Sequence, residues 1–179
     1  MSRGVSMTGA PRAVVLTAPD PSWADRFAAE RSRIAAIFSE AVRIEHIGST
    51  AVPGLLAKPV VDILLVLPET PPMPERVRAM EAIGYEHLGE YGIVGRTYFR
   101  RQRAFHVHAF PVGHIEVERD LLFRDHLRAD PDRARAYAEL KLHLAAIAKD
   151  QVEYSRLKRP FVDETIEQAR AAGRDISQS

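Results

Sequence analysis

Residues Val42–Leu67 read VRIEHIGSTAVPGLLAKPVVDILLVL, and this stretch decides the fold. Val42, Ile44 and His46 alternate with Arg43, Glu45 and Ile47, the period of two that a strand requires. That strand runs into Gly48-Ser49-Thr50, a turn that leads toward a helix. Val60–Leu67 is the most apolar part of the chain and is interrupted once, by Asp62. Its composition predicts a central strand buried on both faces.

Toward the N-terminus, Ala13–Thr17 predicts a short strand. Trp23, Phe27, Ile34 and Phe38 recur at helical spacing, with Ser22 as the expected N-cap and Asp25 completing a capping-box variant. Residues 1–11, rich in Gly, Ser and Thr, are expected to form a disordered leader. Toward the C-terminus, Thr70–Pro74 breaks the chain, and Glu75–Ile83 reads as a short helix stopped by Gly84. Residues 91–115 hold Arg96, Arg100, Arg101, Arg103 and three histidines, with no acid. Within them Val94–Arg101 and Ala104–Phe110 read as a hairpin. Three helices follow: Arg119–Leu127, one opened by Asp130-Pro131, and one from about Arg156 to Ala171. The class is α+β, with a small mixed sheet first and a helical tail after it. Residues 12–116 are expected as a core and 117–173 as a helical extension packed on it, in a single domain.

Composition narrows the chemistry. The 179 residues contain no cysteine, which excludes disulfide scaffolds, Cys-ligated zinc and thiol catalysis. Apolar runs such as Ile63–Leu67 fall far short of the ~20 residues that span a bilayer, and Met1–Ala10 lacks the apolar region of a secretory signal. A cytoplasmic protein with no membrane partner is the expectation. With 25 basic against 24 acidic residues the chain is nearly neutral, and no aromatic series accompanies its arginines, so nucleic acid is not an expected partner.

Three groups of residues can carry chemistry. A strand that ends at Gly48-Ser49 and turns into a helix presents free backbone N–H groups, to which Ser49 and Thr50 add hydroxyls; phosphate oxygens suit such a site. A plain capped turn would use the same residues. Asp62 is a charge in an apolar strand, costing several kcal/mol unless it is paired or binds a metal; Lys58 or a hairpin arginine is one partner, a metal near a bound triphosphate the other. His106 and His108 lie two apart on a strand and so share a face, as a metal or phosphate site would require. Arg96 and Arg100 can supply charge-assisted bonds to phosphates, although at least two of the four hairpin arginines are expected in solvent. Arg124, Arg128, Lys141 and Lys158 read as ordinary basic helix faces.

The blocks DPSWADRFAAE (Asp20–Glu30), Val42–Leu67, YGIVGRTYFRR (Tyr91–Arg101), FHVHAF (Phe105–Phe110) and LLFRDHLRADPDRARAYAELK (Leu121–Lys141) resemble, in order, those of the GrpB family, a branch of the nucleotidyltransferase-fold superfamily. The resemblance runs from about Val14 to Ala169. It implies a nucleotidyltransferase-like sheet flanked by helices, with a nucleoside triphosphate held at Gly48, Ser49 and Thr50 with help from Lys58, Arg96 and Arg100. It also implies a divalent metal (Mg, Mn or Zn) at Asp62, His106 and His108, and transfer of a nucleotidyl group to a small-molecule or protein acceptor. The superfamily places a second acid two residues after the first; here that position is Leu64, which departs from two-metal chemistry. The second reading is therefore a catalytically reduced nucleotide-binding or chaperone-like module related to coenzyme A biosynthesis. A monomer or homodimer is expected.

Overall fold

A computed structural model describes residues 14–173; the expected leader, residues 1–11, lies outside them. Five strands form one sheet: β1 (Arg43–Ile47), β2 (Val61–Leu67), β3 (Glu86–His87), β4 (Thr97–Arg101) and β5 (Phe105–Pro111), in the order β1-β2-β5-β4-β3. β2 and β5 run parallel and the other neighbours antiparallel. β2 is interior, and Ile63 to Leu67 are buried on both faces as their composition required.

The pleat of β2 sorts its side chains between two helical layers. Val61, Ile63, Leu65 and Leu67 pack against Trp23, Ile34 and Phe38 of α1 (Ser22–Ile37) and its C-cap, and Met80 of α2 (Pro74–Ala82). Leu64 and Val66 face the other way, with Phe110 and Leu121, onto α3 (Ile115–Ala129). Asp62 shares that second face. Two more helices, α4 (Pro131–Ile147) and α5 (Gln151–Ala171), close over it through Val52, Leu55, Phe123, Tyr137 and Ile166. The helical extension therefore covers the sheet face that carries Asp62, His106 and His108.

Local chemistry explains where the structure departs from the expected elements. Of the N-terminal strand only one antiparallel bridge exists among the described residues, Thr17 with Ala57, and it joins the loop before β2 instead of the sheet. Ser22 does not cap α1: it is the first helical residue, and the Asp20 carboxylate accepts its N–H at 2.9 Å. α3 begins four residues before Arg119, with the His114 ring accepting from the Glu116 N–H. α5 starts at Gln151 instead of Arg156 and passes through Pro160; the Asp150 carboxylate accepts the N–H groups of Val152 and Glu153, each at 2.8 Å. Asp130 and Pro131 open α4 as expected.

Candidate functional site

The turn after β1 is a single 3₁₀ turn, Ser49–Ala51, preceded by Gly48 at φ 72°, ψ −169°. Only glycine adopts that backbone region readily. The position is closed to a side chain for a second reason: a Cβ would lie 2.8 Å from Oδ2 of Asp62. The glycine thus makes room for the carboxylate of the neighbouring strand. α3 holds the turn from outside. Arg124 donates to the His46 carbonyl (3.0 Å) and to Glu45, and Arg128 Nε donates to the Ala51 carbonyl (2.9 Å). Thr50 donates its hydroxyl to the Val60 carbonyl (3.2 Å) and so accepts from His46 Nε2 (3.0 Å). His46 is buried, and burial pushes its imidazole down to about 4, which keeps it neutral.

Neither Lys58 nor a hairpin arginine pairs with Asp62. In parallel register Asp62 stands beside His106 and Leu64 beside His108, so both imidazoles reach one carboxylate oxygen. His106 Nδ1 and His108 Nε2 each lie 3.3 Å from Oδ1, and the three side chains are 20 to 30 % exposed. Burial alone would raise the carboxyl group, but the hydrogen bonds from His106 and His108 outweigh it and hold Asp62 well below the usual carboxylate range. The three ligand atoms lie within 4.8 Å of one another, as ligands of a single ion must. Arg96 qualifies the set. It donates to Nδ1 of His108 at 3.3 Å, which leaves the ring proton on Nε2, pointed at Asp62. Both imidazoles thus present a proton to Asp62, and each ligates an ion only by giving that proton up; His106 has no arginine fixing its tautomer and is the freer of the two to do so.

Asp62 and His106 form one wall of a cleft of about 150 Å³ that Gly48, Ser49, Thr50 and Lys58 also line. The opposite wall was not legible as a site. Lys141 and Tyr137 of α4 and Tyr154 and Lys158 of α5 enter the cleft, so three of the chain's four lysines converge there. Lys141 is only 1 % exposed. Its Nζ donates to Ser49 Oγ at 3.2 Å and to the Leu56 carbonyl, with the Tyr137 ring 4.7 Å away. Burial, and then the neighbouring Lys158, push this ammonium down to about 7. Burial likewise lowers Lys58, whose Nζ donates to Gln151 (3.1 Å), and Lys158. The signal for Lys141 was present in the spacing: it lies four residues after Tyr137 and three before Leu144, on the apolar stripe of α4 and not on its wet face.

The two arginines expected at phosphates are engaged elsewhere. Arg96 is buried and donates to the carbonyls of Glu90 (3.0 Å) and Tyr91 (2.6 Å), holding the 90–95 loop. Arg100 pairs with Glu86 across the β3–β4 edge at 2.8 Å.

A model of the GrpB protein family matches residues 13–168. The chain belongs to the GrpB family. It is 38% identical over 164 residues to a UPF0157 protein of Bacillus subtilis, a match that covers 89% of this chain and 48% of the relative's own length. The crystal structure of the conserved protein GrpB from Enterococcus faecalis superposes with a TM-score of 0.80 at 35% identity, over 87% of this chain and 96% of that one. A dephospho-CoA kinase of Mycolicibacterium paratuberculosis is 30% identical over 83% of this chain and 44% of its own length. A cytoplasmic RNA terminal U-transferase shares the fold at 16% identity and a TM-score of 0.50, over 71% of this chain and 40% of that one. The GrpB chain thus carries the nucleotidyltransferase-like α+β fold. Among its described residues no helix is long and apolar enough to cross a membrane.

Two outcomes test this geometry. Gly48→Ala should lower stability by about 3 kcal/mol in urea denaturation, and by about 1 kcal/mol less in an Asp62→Ala background, where the carboxylate no longer meets the new Cβ. Equal costs in the two backgrounds would contradict the close approach. For Lys141 the sign follows from its depressed value. Below about pH 7 the folded and unfolded chains both carry the proton, and the burial penalty is fully present. Between about 7 and the ordinary 10.5 only the unfolded chain holds it, so stability rises with pH. The wild type should gain about 2 kcal/mol on Lys141→Met between pH 7 and pH 9; parallel pH profiles would show that Lys141 titrates normally.

Proposed function

We propose that the cleft binds a nucleoside triphosphate together with one divalent ion and passes its nucleotidyl group to an acceptor hydroxyl. The observation that carries the reading is the meeting of Lys58, Lys141 and Lys158 with the Gly48–Ser49 turn in the cleft that Asp62 and His106 also line. Three ammonium groups around one carboxylate leave a half-closed cleft with an excess of positive charge. Burial disfavours the charged form of all three lysines, so an anion that enters stabilises their ammonium groups and gains charge-assisted hydrogen bonds. A polyphosphate meets that need.

The donor set fits a metal. One carboxylate and one or two imidazoles favour Mn²⁺ or Zn²⁺ over Mg²⁺, which prefers oxygen ligands. Bound there, such an ion would polarise a phosphate oxygen. The chain's own groups do the rest. Ser49 and the lysines hold the β- and γ-phosphates, Asp62 with His106 would hold the ion, and His108 and Gly48 keep the Asp62 carboxylate in place. The acceptor oxygen attacks the α-phosphorus, the bond to the β-phosphate breaks, and pyrophosphate leaves against the three lysines. The hydroxyl proton departs to solvent at the open mouth.

One observation favours binding without turnover as the second reading. Leu64, fully buried, fills the place of a second carboxylate on the same face as Asp62, so β2 offers one acid where two-ion chemistry uses a pair on that strand. The similarity to a segment of a dephospho-CoA kinase fits an accessory role of this kind.

A thermal-shift panel of nucleoside triphosphates with Mg²⁺, Mn²⁺, Zn²⁺ or no metal, read alongside pyrophosphate release, tests the proposal. Stabilisation should require nucleotide and metal together, with Mn²⁺ or Zn²⁺ ahead of Mg²⁺, and Asp62→Asn should abolish the metal's contribution. Stabilisation with no pyrophosphate formed for any acceptor would leave the accessory reading. No stabilisation by any nucleotide would overturn both.

A further inference from the structure

Of the chain's 13 aromatic Phe, Trp and Tyr residues, Tyr91 alone is exposed, at 62 %; every other is buried or half-buried among the described residues. Its position is built, not incidental. Tyr91 has φ 45°, a left-handed backbone that a bulky residue adopts only when its surroundings impose it. The imposing groups are Arg96 and Glu90. Arg96, itself buried, donates to the Tyr91 carbonyl at 2.6 Å and to the Glu90 carbonyl at 3.0 Å, and the Glu90 carboxylate accepts the Gly95 N–H at 2.7 Å. The closed loop lays the Tyr91 ring on the Tyr98 ring, with centroids 5.3 Å apart and planes 25° from parallel. Tyr98 in turn touches the imidazoles of His108 (5.2 Å) and His106 (5.6 Å).

The stack therefore runs from the Asp62 cluster outward and ends in one open aromatic face. It also borders the phosphate cleft on a second side. Gly92 and Ile93, the residues after Tyr91, line a hollow with Arg119 and Lys158, and Lys158 also lines the lysine cleft. A flat ring on Tyr91 would thus lie near both the metal-ligating pair and the cationic wall.

We infer that the outer face of Tyr91 is the stacking platform for the base of the bound nucleotide. This rests on the phosphate reading of the cleft and adds the base subsite to it. No hydrogen-bonding side chain is needed for such a contact, so the platform takes purines and pyrimidines alike, with the larger purine face gaining more. Arg96 acts as a positioning residue, holding the loop from behind without touching the ligand.

Isothermal titration calorimetry of the wild type, Tyr91→Ala and Tyr91→Phe with Mn²⁺-ATP, Mn²⁺-UTP and Mn²⁺-tripolyphosphate tests the inference. Tyr91→Ala should lose about tenfold in affinity for ATP and somewhat less for UTP. It should bind tripolyphosphate as the wild type does, which also reports an intact cleft. Tyr91→Phe should bind all three normally. Unchanged ATP affinity in Tyr91→Ala, or equal loss of ATP and tripolyphosphate, would overturn the platform alone. A wild type that fails to bind tripolyphosphate would overturn the phosphate reading, and the platform with it.

Discussion

A carboxylate on an interior strand needs partners on every side, and Asp62 obtains them from three separate parts of the chain. β5 runs parallel to β2, so His106 and His108 stand beside Asp62 and Leu64 and both reach Oδ1. The turn after β1 must pass close to Oδ2, and it does so with a glycine at the one residue where a Cβ would collide. α3 then locks that turn through Arg124 and Arg128. Losing either histidine leaves the carboxylate short of a donor, so the strand order and the turn both bear on how Asp62 is held.

The same constraint organises the charge of the cleft. Asp62 faces the helical extension and not α1, so the cations that feel its charge are Lys158 of α5 and Lys58 on the loop before β2. Desolvation alone would not retain buried lysines, since each is pushed toward its neutral form. Under the proposed function, the anion would supply the countercharge for their convergence on one opening. Arg96 has a comparable double role. It fixes the tautomer of His108 from one side and the shape of the Tyr91 loop from the other, and so couples the Asp62–His106–His108 cluster to the aromatic rim.

Much of this was legible in the sequence. Alternation and apolar runs located β1, β2 and the β4–β5 hairpin, and the single acid in Val60–Leu67 identified Asp62 as a residue needing an explanation. The two-residue spacing of His106 and His108 put them on one face, but only the parallel β2–β5 register brought them to Asp62. The lysine wall was hidden for a physical reason. Lys141 and Lys158 sit 92 and 109 positions after Ser49 and act through tertiary packing, and a lysine on a helix is usually solvated. For Arg96 and Arg100 the sequence did not show the partners the structure gives them, the carbonyls of the 90–95 loop and Glu86. The short strand β3 and the early start of α5 were missed, since two residues carry no period and Pro160 obscured a helix whose real start lies at Asp150.

The central claim is that Asp62 and His106 hold a metal against phosphates gripped by the lysine wall. Anomalous diffraction from crystals grown with Mn²⁺ and a non-hydrolysable nucleoside triphosphate tests it most directly. The account predicts one Mn²⁺ peak bonded to Asp62 and His106, with phosphate oxygens completing its shell and reaching Ser49, Lys58, Lys141 and Lys158. A nucleotide bound elsewhere, or a peak that touches phosphate but neither Asp62 nor His106, would contradict it.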